Sequence, residues 1–189
     1  MSNLTPLSAS RIKKAQSCSW SYWATYILKV PDRSNDGASR GSICHLIFEL
    51  LGAEKHRKIY DEIILKDSIF ACEPVKRLVL YHAKKLKVDD PENLEMINDM
   101  TLAGLHFDFF GGARGEPDQA ISEQEFNITV DEGEKLYRMR GFIDKLFLYK
   151  DSSLAVIRDF KSSKSVFKGK EVTDNLQDLL YTLAVRKLF

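Results

Sequence analysis

"GFIDKLFLYKDSSLAVIRDFKSSK", residues 141–164, reads as a β-hairpin: two apolar-rich runs around the polar stretch Lys150-Asp151-Ser152-Ser153. Each arm also carries an aspartate, Asp144 and Asp159, inside a run that otherwise reads as core. A buried carboxylate is costly unless a charge or hydrogen bonds compensate it. With the turn centred on Asp151-Ser152, Asp144 faces Asp159 and Phe142 faces Lys161. Strand alternation then puts Asp144, Asp159 and Lys161 on one face. Facing Cβ atoms stand about 4.5–5.5 Å apart, so the two carboxylates repel unless one is protonated or a cation lies between them. A hard divalent ion such as Mg²⁺ takes one or two carboxylates together with phosphate oxygens, and Lys161 would stand beside it. The same register sets Lys145 opposite Arg158, so either that face is partly exposed there or the turn is longer. A slip of one residue would separate the carboxylates. The alternative is a solvent-exposed hairpin whose aspartates are incidental.

The chain around this hairpin has 189 residues, 44% of them hydrophobic and 29% charged, which suits one soluble globular domain with a substantial core. No apolar run approaches membrane-spanning length, and the start MSNLTPLSAS lacks the layout of a signal peptide. Cys18, Cys44 and Cys72 are odd in number and widely spaced, with no CxxC. They argue for a reducing, cytoplasmic setting without a disulfide framework. The net charge of +1 hides an asymmetry. Residues 89–134 hold thirteen acids and one base, whereas residues 135–170 hold ten bases and three acids. A polyanionic partner fits the basic block, and so do two solvated faces of opposite sign.

Ser8 or Ser10 can cap a helix through "RIKKAQSCSWSYWATYIL", which Pro31 and "DRSNDG" end. A second helix, roughly 39–55, carries "GSICHLIFELL". Helical patterns fill roughly 58–88 and 91–109, with breaks near Pro74 and Asp90-Pro91. "GGARGEP", residues 111–117, is a loop; it has neither the spacing nor the GK[ST] ending of a phosphate-binding loop. Strands follow at about 121–130, 136–149 and 154–162, then a helix from Thr173 with Leu176, Leu179, Leu180, Leu183 and Val185 at helical spacing. The expectation is a helical part at about 8–110 and a sheet carrying the site at about 120–189. The last helix reaches Phe189 without a stop signal, which reads as a fragment of a longer chain or as a natural end.

Asp144 followed by Asp159-Phe160-Lys161 resembles the D…(D/E)xK signature of PD-(D/E)XK nucleases. DxK alone is weak, and the surroundings strengthen it. "LSASRIKKAQSCSWSYWATYI" resembles the leading helix of the RecB-type and CRISPR-adaptation-nuclease branch, to which many phage exonucleases belong. "GSICHLIFE" is similar to its G-x-x-x-H segment, "RGFIDKL" to G-x-I-D, "IRDFKSS" to D-x-K and "LQDLLYTLA" to the Q-x-x-x-Y helix. The five occur in the expected order over residues 7–184.

The resemblance implies an α/β, restriction-endonuclease-like core, a mixed central β-sheet flanked by α-helices, with a helical N-terminal half. It implies a DNA exonuclease that hydrolyses phosphodiester bonds with Mg²⁺ or Mn²⁺ in DNA processing, repair or recombination. The setting would be a bacterial, archaeal or phage-infected cell. His45, Asp144 and Asp159 would hold the metal together with the Phe160 carbonyl, and Lys161 would orient the attacking water. Glu123 matches the first-strand glutamate three residues before an apolar position, here Phe126, and Glu125 shares its face by alternation. Glu49, one turn beyond His45, could assist or serve only in helix-surface pairing. Gln177 and Tyr181, four apart on one helix face, would touch the substrate backbone. Arg140, Arg158, Lys164, Lys168 and Lys170 could follow the DNA backbone or be solvated charges.

One departure concerns an iron–sulfur cluster, which many relatives hold on one leading-helix cysteine and three more beyond the Q-x-x-x-Y helix. Cys18 stands at the first kind of position without those partners, so this chain is not expected to hold a cluster, and Cys44 and Cys72 read as small core residues. The strand expected after the last helix is also missing, so the sheet would be one strand short or completed by another molecule. The rival expectations are a nucleic-acid-binding or assembly module with little turnover, and the nuclease part of a larger helicase–nuclease complex. A homo-oligomer is open, and no membrane partner is expected.

Overall fold

The computed structural model describes residues 5–31, 35–131, 133, 135–161 and 175–189. The chain divides into two compact units: Met1–Arg33, Gln124–Ile143 and Val166–Phe189 in one, Ser34–Glu123 and Asp144–Ser165 in the other. The division passes through the first two strands.

In the first unit, α1 (Ala9–Ser17) begins where the Ser8 hydroxyl accepts from the Arg11 N–H. The expected long leading helix breaks at Cys18, whose backbone is extended and whose thiol caps α2 (Ser19–Tyr22) by accepting from the Ser21 N–H at 3.4 Å. The chain then winds as a π-helix over Trp23–Ile27. The C-terminal helix of this unit, α7, spans Leu176–Leu188 and is capped by the Asn175 side chain. Its residues Leu180, Tyr181, Ala184 and Val185 are buried, as are Phe126, Ile128 and Val130, which alternate along the first strand. Phe126 and Tyr181 meet edge-on with ring centroids 5.9 Å apart, and the Lys187 ammonium donates to the Thr129 carbonyl at 2.6 Å.

The second unit is built on α3 (Asp36–Gly52), capped by Asn35, which buries Ile43, Cys44, Ile47, Phe48 and Leu51. α4 (Arg57–Lys66), α5 (Glu73–Leu86, with Pro74 in its first turn) and α6 (Pro91–His106, capped by Asp90) follow. Ile63, Val75, Val79, Ala83, Ile97 and Leu105 lie buried with the α3 residues in one apolar cluster. Cys44 and Cys72 belong to that cluster, as expected of small core residues. No helix among the described residues is long and apolar enough to cross a membrane.

The strands β1 (Gln119–Asp131), β2 (Leu136–Tyr149) and β3 (Leu154–Arg158) form a three-stranded antiparallel sheet in the order β1-β2-β3. Leu7 adds a parallel bridge to Met139, giving the N–H to the Arg138 carbonyl and accepting from the Arg140 N–H, so both senses of pairing occur. The α/β core expected from the sequence is the one observed. Within the hairpin the expected register holds, with Lys145 facing Arg158 and Leu146 facing Ile157. The strand expected to reach 162 stops at Arg158. There the guanidinium donates to the carbonyls of Phe107 (2.7 Å) and Asp108 and pairs with the Asp108 carboxylate at 3.1 Å. Beyond it, the Phe160 N–H turns to the Asp144 side chain rather than to a strand carbonyl.

That same grip resolves the meeting of Lys145 with Arg158. The Lys145 ammonium is buried, donates to the Phe109 carbonyl at 3.0 Å and lies 3.9 Å from the Phe109 ring centroid. Carbonyls just past the end of α6, where a helix presents negative partial charge, thus receive both cations. Burial, with Arg158 and Arg57 nearby, lowers the Lys145 pKa to about 8.

Candidate metal centre

His45, Glu123 and Asp144 reach one place from three elements of the second unit. α3 presents His45 opposite its buried apolar stripe, and the imidazole Nδ1 stands 3.6 Å from Asp144 Oδ1. β2 presents Asp144, whose side chain is 11% exposed and whose Oδ2 accepts the Phe160 N–H at 2.7 Å. Oδ1 is therefore the oxygen left toward the imidazole. Glu123 sits on β1 with φ of 51°, in the left-handed region that a side chain with a Cβ adopts only at a cost. This breaks the alternation that made Glu125 equivalent. Glu125 instead pairs with Arg140 at 2.9 Å in the other unit.

One ligand atom from each of His45, Glu123 and Asp144 lies within 4.8 Å of the others. Bonds of about 2.0–2.4 Å place ligands across one divalent ion roughly 4–5 Å apart, so this spread fits a single ion. An imidazole with two carboxylates also suits a metal that accepts both nitrogen and oxygen, Mn²⁺ among them. An open cleft of about 540 Å³ leads to the three and includes Ser42 and Glu49. Glu49 therefore faces the cleft rather than serving only the helix surface.

The charges there are mutually costly. Burial raises the pKa of Asp144, with Asp159 adding to it, against the opposing pull of His45, the Phe160 N–H and Lys161. Burial also raises Glu123, and the nearby charges of Asp144 and Glu49 push it further, while His45 opposes. A cation bound between these acids would favour their ionised forms and oppose that rise.

Asp159 does not stand opposite Asp144 as a strand partner, because β3 has already ended. Its carboxylate pairs with the Lys161 ammonium at 2.5 Å. Phe160 stacks on Phe48 with centroids 4.2 Å apart and planes 26° from parallel, which fixes the DFK turn against α3. Gln177 and Tyr181 belong to the first unit, where the Gln177 amide donates to the Tyr181 hydroxyl at 2.6 Å. Gly141, the glycine of "GFID", has a packing reason in that unit: a Cβ there would meet the Phe126 ring at 2.6 Å.

A family model of the PD-(D/E)XK nuclease superfamily matches residues 6–189. The chain belongs to that superfamily. Searches of curated proteins and of solved structures return no match. Nucleases of the superfamily use divalent metals, and His45, Glu123 and Asp144 form a group of the kind that would hold one.

Of the basic residues expected to follow a nucleic-acid backbone, Arg158 is 14% exposed and engaged by Asp108. Arg140 is half-exposed and shared with Glu125. Lys164, Lys168 and Lys170 lie outside the described residues. The sequence reading missed the left-handed turn at Glu123 and the stacking of Phe48 on Phe160. The former has no sequence signal in a non-glycine residue, and the latter joins positions more than a hundred residues apart.

Proposed function

We propose that this member of the superfamily is a metal-dependent deoxyribonuclease of the RecB-type branch that hydrolyses DNA from an end. The observation that carries the reading is the convergence of His45, Glu123 and Asp144 beside the Asp159-Phe160-Lys161 turn. His45, Glu123 and Asp144 would hold Mg²⁺ or Mn²⁺, with Asp159 and the Phe160 carbonyl as further donors. When bound, such an ion polarises a phosphoryl oxygen and makes a bound water more acidic.

The chain's own groups do the rest. The Phe160 N–H fixes the Asp144 carboxylate so that Oδ1 faces the cleft. Asp159 holds the Lys161 ammonium, which meets negative charge growing on the phosphate. Gln177 and Tyr181, locked together, would contact the DNA backbone. The expected products carry 5′-phosphate and 3′-hydroxyl ends.

End-labelled linear DNA incubated with Mn²⁺, Mg²⁺ or EDTA, beside Lys161→Ala, tests this. Metal-dependent cleavage that Lys161→Ala leaves unaltered would remove Lys161 from the mechanism. Open circular DNA as a second substrate separates cutting from ends and cutting within the chain. One observation favours the second reading, a nucleic-acid-binding or assembly module with little turnover: the Asp159 carboxylate is closed by Lys161 at 2.5 Å. Tight, salt-sensitive binding without cleavage in either metal would support it.

A further inference from the structure

His45 also borders a second cavity, of about 240 Å³, in the same unit. Phe48 of α3, Met100, Ala103 and Gly104 of α6, and Phe160 make its walls, and Lys161 stands with His45 as its polar groups. The volume is below the roughly 300–1,000 Å³ of sites that enclose drug-sized ligands, so the cavity suits one ring system and excludes a base pair. Phe48 and Phe160, stacked at 4.2 Å, offer it an aromatic wall. The Cys44 thiol, also at the wall, is used within the protein: it accepts from the Thr101 hydroxyl at 3.5 Å and lies 3.9 Å from the Ile97 carbonyl. Little remains to read the hydrogen-bonding edge of an occupant. Lys161, whose ammonium pairs with Asp159, borders the cavity, and a cation beside a mostly apolar wall fits an uncharged ring joined to an anion.

We propose that this cavity takes one unpaired nucleobase, that of the nucleotide adjoining the phosphate at the carboxylate cleft. The inference rests on the nuclease reading and deepens it: the site acts on single-stranded or frayed ends, with little preference among bases. Stacking on aromatic side chains is sequence-tolerant because every base has a π-face, and enzymes that must reach inside a duplex take the base out of its stack.

The test uses end-labelled single-stranded DNA carrying an abasic tetrahydrofuran residue at successive positions, cut in Mn²⁺ by the wild type and by Ala103→Phe. Ala103 is exposed, so a phenylalanine there fills the cavity from its rim. In the wild type, one abasic position should slow the adjoining cut by roughly 5- to 150-fold, the range expected for losing one base–aromatic stack. In Ala103→Phe, intact and abasic strands should be cut at the same reduced rate. A strand containing 2-aminopurine, mixed with the wild type in EDTA, supplies a readout without turnover. Its fluorescence should change as the base exchanges its neighbours for the phenylalanine wall, and should not change with Ala103→Phe. Equal wild-type cutting of abasic and intact strands, or the same fluorescence response from the wild type and Ala103→Phe, overturns the proposal while leaving the nuclease reading intact. No cleavage of any strand by the wild type overturns the nuclease reading, and this inference falls with it.

Discussion

Replacing Lys145 by methionine removes a buried ammonium while keeping its length and most of its apolar stem. In the folded chain the ammonium is held by the Phe109 carbonyl and by the rings of Phe109, Phe110 and Phe147, yet burial and the charges of Arg158 and Arg57 lower its pKa from 10.5 to about 8. Between pH 8 and 10.5 the unfolded chain therefore holds a proton that the folded chain has released. Stability rises with pH wherever the unfolded state binds more protons. Below pH 8 the full penalty of the charged form is present; it disappears as pH rises past 10.5. A shift of that size corresponds to roughly 3 kcal/mol, most of which is recovered between pH 7 and pH 10. The assay is urea unfolding of wild type and Lys145→Met at both pH values. Other titrating groups are common to the two proteins and cancel in the difference. The wild type should gain about 2–3 kcal/mol on the variant from pH 7 to pH 10. Parallel pH profiles would refute the reasoning, because they would mean the ammonium titrates as it does in water.

Glu123→Gly relieves the left-handed backbone at φ 51° and the crowding of three acids, so thermal unfolding should show a gain of about 1 kcal/mol while metal binding weakens. Gly104→Ala should cost about 1–3 kcal/mol in urea unfolding, because the added Cβ would meet the buried Phe48 ring at 2.5 Å. Mn²⁺ at about 100 times its dissociation constant should stabilise the wild type by roughly 2.7 kcal/mol, and Asp144→Asn much less, as read by the shift in melting temperature. Because burial and nearby charge raise Asp144 and Glu123, Mn²⁺ should bind more tightly as pH rises, with proton release measurable by calorimetry in buffers of different ionisation enthalpy.

The hairpin register was legible because the polar stretch Lys150–Ser153 fixes the turn and alternation fixes the faces. That Gln177 and Tyr181 share one helix face was legible from their four-residue spacing, whereas their hydrogen bond to each other was not read. The helix starts, at Ser8 or Ser10 and after the break at Asp90-Pro91, were legible as well, since caps and prolines act locally. What the sequence left open depends on distant partners. β3 ends at Arg158, whose guanidinium meets carbonyls fifty residues earlier, and the Phe160 N–H beyond it goes to the Asp144 side chain. The two cations facing each other there looked like a conflict, and the end of α6 is what accommodates them. The choice between Glu123 and Glu125 turned on one backbone angle, and neither alternation nor propensity carries that information.

The most direct test of the central claim is cleavage of end-labelled linear DNA by wild type and Asp144→Asn, in Mn²⁺ and in EDTA. If His45, Glu123 and Asp144 hold the ion, the wild type degrades the strand in Mn²⁺ alone, and Asp144→Asn, still folded by circular dichroism, falls to the EDTA background. Degradation by Asp144→Asn at the wild-type rate, or by the wild type in EDTA, would contradict the account.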